Sequence, residues 1–157
     1  MIRLDPMTEE EFQLFLARSI PDYAAENVRA GYWTDQESLE KSRQEHSKLL
    51  PNGVHTESHH LFTLVETELG MGIGILWLHA RTNLPHPSGF IYNIELDENQ
   101  RGKGYGKQAM LALEDKAREL GLKALGLHVF AHNATAIGLY EKAGYRTKSL
   151  NMMKELG

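Results

Sequence analysis

The chain has no cysteine. Disulfides, thiolate metal ligands and a cysteine acyl-enzyme are therefore excluded, and the absence fits a reducing compartment. No apolar run approaches the roughly 20 residues of a membrane span. The N-terminal Met1-Ile2-Arg3-Leu4-Asp5-Pro6 also has no apolar signal core, so a cytoplasmic protein without membrane contact is expected. Basic residues are not in excess: 17 Lys and Arg stand against 21 Asp and Glu, for a formal net charge of −4. That balance argues against general nucleic-acid binding, which leaves a basic footprint. There is no internal repeat, low-complexity tract or second domain, and residues 1–157 are read as one domain. At 41% hydrophobic and 24% charged residues, that domain is long enough and apolar enough to bury a proper core.

The most informative stretch is Gln100-Arg101-Gly102-Lys103-Gly104-Tyr105-Gly106. Phe90 to Leu96 before it reads as a strand, and Lys107 to Leu120 after it as an amphipathic helix. A strand, a glycine-rich turn and a helix N-terminus together aim free backbone N–H groups and the positive end of a helix dipole at one spot. A phosphate is the natural occupant. Glycine allows close approach and positive φ, while Arg101, Lys103 and Lys107 add charge. Two named phosphate loops are missing. The spacing from Gly102 to Lys107 is wrong for the Walker pattern, and Gln108 stands where Ser or Thr is required. The dinucleotide pattern fails because its glycines would not fall at 102, 104 and 106.

The remaining elements follow in order. Ile2 and Leu4 suggest a short first strand ended by Asp5-Pro6. Thr8 and Glu11 form a capping box for a first helix, which Pro21 should interrupt or restart. Thr34 or Asp35 caps a further helix running to Leu50. Leu61 to Glu66 and Ile73 to His79 read as a hairpin, and Ile75 to Leu78 is apolar on both faces, as in a central strand. Along the strand before the turn, Tyr92, Ile94 and Leu96 should share one face, with Asn93 and Glu95 on the other. Ala124 to Phe130 is a strand, Asn133 caps a helix from Ala134 to Ala143 that Gly144 ends, and Tyr145 to Lys154 should supply one or two closing strands. His55, His59 and His60 sit in or beside a loop without the further ligand and ordered frame a metal needs, and no metal is expected. The fold expected is α/β (α+β), with a mixed, largely antiparallel central sheet and helices on both faces.

Arg101-x-x-Gly104-x-Gly106 resembles the acyl-CoA pyrophosphate loop of the GNAT superfamily of N-acetyltransferases. The block from His128 to Tyr145, with Asn133, Tyr140 and Gly144-Tyr145, is similar to that family's later strand–Asn–helix–Tyr-x-x-x-Gly-Tyr/Phe segment. The resemblance is specific over Phe90 to Arg146 and architectural elsewhere. It implies acetyl-CoA as cosubstrate, held by Arg101, Gly102, Lys103, Gly104, Tyr105, Gly106 and Lys107. The backbone of Leu96 would bind the pantetheine arm and polarise the thioester carbonyl. Asn133 is either the helix cap alone or a cap that would also contact the CoA arm, and the two roles can coexist. Tyr140 matches the family tyrosine that protonates the leaving thiolate; its alternative is packing. The first helices would wall the acceptor pocket, so Tyr23, Tyr32 and Trp33, otherwise packing aromatics, would shape specificity.

Glu95 is the candidate general base, directly or through a water. Burial increases a carboxylate's affinity for protons, which suits that role; the other reading is an ion pair with arginine. Asn93 and His128 are weaker candidates for shaping the pocket or relaying a proton. With no cysteine, direct attack of a primary amine in a ternary complex is expected. The acceptor class stays open between polyamine, amino acid, antibiotic, peptide N-terminus and protein lysine, and a homodimer is compatible with the sequence. The competing function is a non-catalytic acyl-CoA-binding or sensing module on the same fold.

Overall fold

The computed structural model describes residues 1–157. Its elements are β1 (Ile2–Pro6), α1 (Glu9–Arg29), α2 (Asp35–Leu49), β2 (His59–Glu66), β3 (Met71–Arg81), β4 (Ser88–Leu96), α3 (Tyr105–Glu119), β5 (Ala124–Leu127) and α4 (Ala134–Lys142). The five strands lie in sequence order, antiparallel except for the parallel pair β4–β5. β1 ends at Pro6, as the sequence indicates, with Pro6 opposite Phe62; on an edge strand its missing N–H costs no ladder bond.

The capping box forms as expected. Glu11 donates its amide to Thr8 Oγ1 (3.1 Å), and Thr8 donates its amide to Glu11 Oε1 (2.9 Å). α1 does not break at Pro21 but runs through it. The proline leaves the Ala17 carbonyl without its helical donor, a cost of about 3 kcal/mol. Phe12 and Phe15 ahead of it, and Ala24 and Asn27 behind it, are all buried. Packing on both sides therefore holds one axis. α2 is tied to α1 beside this point: Ser42 donates its hydroxyl to the Ile20 carbonyl at 2.7 Å.

β3 is covered on both faces. Leu76 and Leu78 join Leu64, Ile73, Met110 and Leu113 in the core beneath α3. Trp77 joins Met7, Phe12, Phe15 and Leu61 in the core beneath α1 and α2, with Ile75 packed against it. Simple alternation fails on β4. Trp77 pairs with Asn93 while Leu78 pairs with Ile91, so Tyr92 is an extra residue in a β-bulge. The bulge separates Tyr92 from Ile94 and Leu96. Tyr92 stacks on Trp77 (4.6 Å between centroids) on the α1 side, whereas Ile94 and Leu96 pack on the α3 side.

β4 and β5 pair only from Ser88–Ile91 to Ala124–Leu127. Beyond Ile91 the two strands part, and β4 from Tyr92 to Leu96 has an open edge. The closing strands expected over Tyr145 to Lys154 do not form, and residues 146–157 are exposed without regular structure. A strand needs a paired edge or a buried face. This tail has neither: Arg146, Lys148 and Lys154 are solvated, and Leu150, Met152 and Met153 find no core, remaining 72–88% exposed.

Gly74 fixes how closely β3 approaches the bulged strand. A Cβ there would lie 2.3 Å from the Glu95 carbonyl oxygen and 3.0 Å from Leu96 Cα. Gly74→Ala should therefore lose about 1–3 kcal/mol of stability, the usual cost of overpacking, and push Leu96 outward. Urea denaturation checks this; an unchanged midpoint would mean that the strand yields without cost.

Candidate active site

The turn between β4 and α3 is built to present amides. Asp97 to Arg101 turns once, with Gln100 buried and donating its amide to the Asp97 carbonyl (2.9 Å). Gly102 (φ 76°) and Gly104 (φ 82°) then take the left-handed conformation that glycine adopts without strain. Gly104 is the N-cap of α3, which starts at Tyr105, ahead of the expected Lys107. The amides from Gly102 to Lys107 donate to no group of the protein. Together with the helix dipole they form an anion cradle. The two sequence-matched glycines serve different purposes. Gly104 needs its backbone conformation and has open space at its Cβ position. Gly106 lies where a Cβ would touch Leu139 at 3.5 Å, so it lets α4 pack against the start of α3.

The basic residues divide as well. Lys103 donates to Gln100 Oε1 (3.3 Å) and Lys107 is exposed. Arg101 turns back from the cradle instead of adding its charge there. Its Nε donates to the Leu96 carbonyl (3.3 Å) and its Nη2 lies 3.4 Å from Glu95. This bond also shows how Leu96 is oriented. Asp97 donates its amide to Ile73 on β3 (2.8 Å). Successive backbone groups alternate along a strand, so the N–H of Leu96 points away from β3, into the gap where β5 has diverged.

Glu95 is not alone on a covered strand. Its carboxylate is 28% exposed and receives Arg18 Nη2 at 2.8 Å besides Arg101. Arg18 also lies 3.5 Å from Asp97 and 3.8 Å from Asp22. The arginine pairing that the sequence left open is the arrangement observed. Glu95, Asn93, Asp97, Arg18, Glu11 and Gly74 line a cleft of about 270 Å³ between α1 and the sheet.

A larger cavity, about 1500 Å³, opens between β5, α3, α4 and the tail. Tyr140, Tyr145, His128, Phe130, His132 and Tyr32 are on its walls. Burial raises the Tyr140 phenol above the ordinary tyrosine range, so it holds its proton at neutral pH. Tyr145, 5.9 Å from it, is pushed up to about 12, chiefly by burial, and its hydroxyl is buried without a partner. Asn133 caps α4 by accepting the Ala136 amide (3.2 Å).

Of the aromatics offered as an acceptor wall, only Tyr32 reaches this cavity. Tyr23 and Trp33 pack edge-to-face on each other (5.5 Å), and Tyr23 also packs on His46. His59 and His60 face opposite sides of β2. His59 lies with Trp77 and Tyr92, His60 on Phe62, so they cannot converge on one ion. Burial, with His79 stacked at 4.1 Å, lowers His59 to about 4. Its neutral ring accepts the Trp77 indole N–H at 2.9 Å.

Sequence reasoning missed Arg18, Glu26 and His132. The last two meet across the fold, His132 Nε2 lying 2.5 Å from Glu26 Oε2. One signal was present: Arg18, Asp22 and Glu26 recur every fourth residue and so form one charged stripe on α1.

The sequence profile of the Acetyltransferase (GNAT) family matches residues 23–145. The chain is 44% identical over 155 residues to YycN and 43% identical over 153 residues to YdgE, both uncharacterized N-acetyltransferases of Bacillus subtilis, with at least 97% of each chain covered. The crystal structure of YycN superposes with a TM-score of 0.96 over 99% of both chains. The amide cradle, the parting of β4 from β5 and these relatives agree: the chain belongs to the GNAT family of acetyltransferases.

Proposed function

We propose that the protein transfers an acetyl group from acetyl-CoA to a primary amine, with both held at once. The observation that carries this reading is the run of unbonded amides from Gly102 to Lys107 beside the outward-pointing Leu96 N–H. The cradle fits a pyrophosphate, and the open edge of β4 fits an extended amide-bearing arm. Acetyl-CoA supplies an acyl group on a good thiolate leaving group. The chain supplies the rest. Gly102, Lys103, Gly104, Tyr105, Gly106 and Lys107 hold the anion through their amides. Leu96 N–H is placed to steady a developing oxyanion, a contribution of about 3–4 kcal/mol. Tyr140 keeps the proton that the thiolate needs. Arg101, held by Glu95 and the Leu96 carbonyl, stiffens the end of β4, and Asn133 orients α4. The acceptor is a small molecule or peptide carrying a free amine, admitted past Tyr32.

The test is to incubate the protein with acetyl-CoA and a panel of amines: a diamine, a free amino acid, an aminosugar and a peptide with a free N-terminus. Free thiol is then followed. The protein has no cysteine and adds no background. Amine-dependent thiol release is expected. Acetyl-CoA binding without release for any amine would replace this reading with that of an acyl-CoA-binding module.

A further inference from the structure

We infer that His132 is the proton acceptor for the incoming amine and that Glu26 is its positioning residue. The inference rests on the acetyl-transfer reading above. An amine is protonated at neutral pH and must lose a proton before its lone pair can attack. The group that takes the proton has to share one space with the group that protonates the leaving sulfur, because both act about a single carbonyl carbon. Tyr140 and His132 line the same cavity. Glu95 lines the other cleft, away from Tyr140, and two guanidiniums occupy its carboxylate.

The imidazole of His132 is held in one orientation. Its ring stacks on Phe130 (5.5 Å, 11° between planes), and its Nε2 meets the Glu26 carboxylate. An ionised carboxylate only accepts, so the proton of the neutral ring is on Nε2 and the lone pair is on Nδ1. Nδ1 has no hydrogen-bond partner in the protein and is not closed off from solvent, and the residue itself lines the cavity. A carboxylate that fixes the tautomer of a histidine and steadies its charged form is a general way to make an imidazole a base.

The step balances. The ammonium proton passes to Nδ1, and the imidazolium charge is set against Glu26. The neutral amine forms the C–N bond as the C–S bond breaks. The thiolate takes the Tyr140 proton, the phenolate takes the remaining excess proton from nitrogen, and His132 releases its proton to water. Other charged groups share the cavity: Glu114 and Arg118 from α3, Lys123 before β5, Glu141 from α4, and Arg146 and Lys148 from the tail. His128 is the second imidazole there, exposed and set edge-on to Phe130 at 4.9 Å.

Two measurements test the assignment. The first is kcat/KM against pH, with acetyl-CoA and whichever amine of the panel reacts. His132→Ala should lower kcat/KM at pH 7 about tenfold, the low end for acid–base catalysis because some free amine is always present. It should flatten the ascending limb, and added imidazole should restore part of the rate. Glu26→Gln should also lower kcat/KM at pH 7, since the carboxylate that orients the ring and is set against the imidazolium is gone. Glu95→Gln should leave the limb in place. The second measurement needs no acceptor: nitrogen-15 spectra of the histidine rings should show neutral His132 with its proton on Nε2. A proton on Nδ1, or a wild-type limb in a folded His132→Ala protein that turns over, would overturn the assignment alone. Failure of every amine would remove the acetyl-transfer reading and this role with it, while the spectra would still report the oriented ring.

Discussion

Gly104→Asp should weaken acetyl-CoA binding more than a hundredfold while leaving the protein folded. Gly104 caps α3 at φ 82°, and nothing lies within 4 Å of its Cβ position. Space is therefore not the obstacle. Two other effects act together. A residue with a Cβ in the left-handed conformation costs about 1–2 kcal/mol, which bends the amides away from their common target. A carboxylate at the mouth of a cradle made of free N–H groups also competes with the pyrophosphate for those donors and repels it. Charge-assisted hydrogen bonds contribute about 1.5–3 kcal/mol each, and loss of two exceeds the roughly 2.7 kcal/mol that a hundredfold requires. Gly104→Ala separates the causes, since it carries the strain without the charge and should cost about tenfold or less. Gly106→Asp should behave differently. Its Cβ would face Leu139 and Leu96 at 3.5–4.0 Å, so the carboxylate enters an apolar contact and loosens α4 as well as binding. Titration calorimetry with acetyl-CoA checks all three. Unchanged affinity in folded Gly104→Asp protein would mean that the pyrophosphate lies elsewhere.

That contrast shows what the sequence could and could not convey. Local chemistry was legible. The Thr8–Glu11 capping box, the Thr34 and Asn133 caps and the glycine-rich turn each depend on residues a few positions apart, and each forms as its pattern indicates. Features set by distant partners were not. The bulge that turns Tyr92 toward Trp77 is a property of how β3 meets β4, since alternation within β4 alone puts Tyr92 with Ile94. α1 survives Pro21 because the sheet and α2 hold both halves. The tail from Tyr145 has a composition that a strand could use, but it pairs with neither the four-residue edge strand β5 nor the open edge of β4. The two contacts that shape the clefts join residues 77 and 106 positions apart, the Arg18–Glu95 ion pair and the Glu26–His132 hydrogen bond. No periodicity reports such pairs, and neither the arginines around Glu95 nor the carboxylate against His132 could be read from the sequence.

Tyr140→Phe should lower kcat roughly tenfold to a hundredfold, the low end of general acid catalysis because a thiolate is already a fair leaving group. The ring is half-buried against the α3 core and 5.9 Å from Tyr145, and phenylalanine keeps that packing. Only the hydroxyl is lost. Burial holds the phenol protonated well above neutral pH, so at pH 7 the wild-type proton is present whenever the sulfur begins to carry charge. The ground-state thioester needs no proton, and acetyl-CoA affinity should be nearly unchanged. The loss should therefore appear equally in kcat and kcat/KM, the sign of an interaction made only in the transition state. The leaving group gives a second check. An acyl donor whose thiolate is more stable needs less help, so its rate should fall less in the variant, narrowing the gap to wild type. If the phenylalanine protein turns over acetyl-CoA at the wild-type rate with an active amine, Tyr140 is a packing residue, and the proton reaches sulfur from water entering the large cavity between β5 and α4.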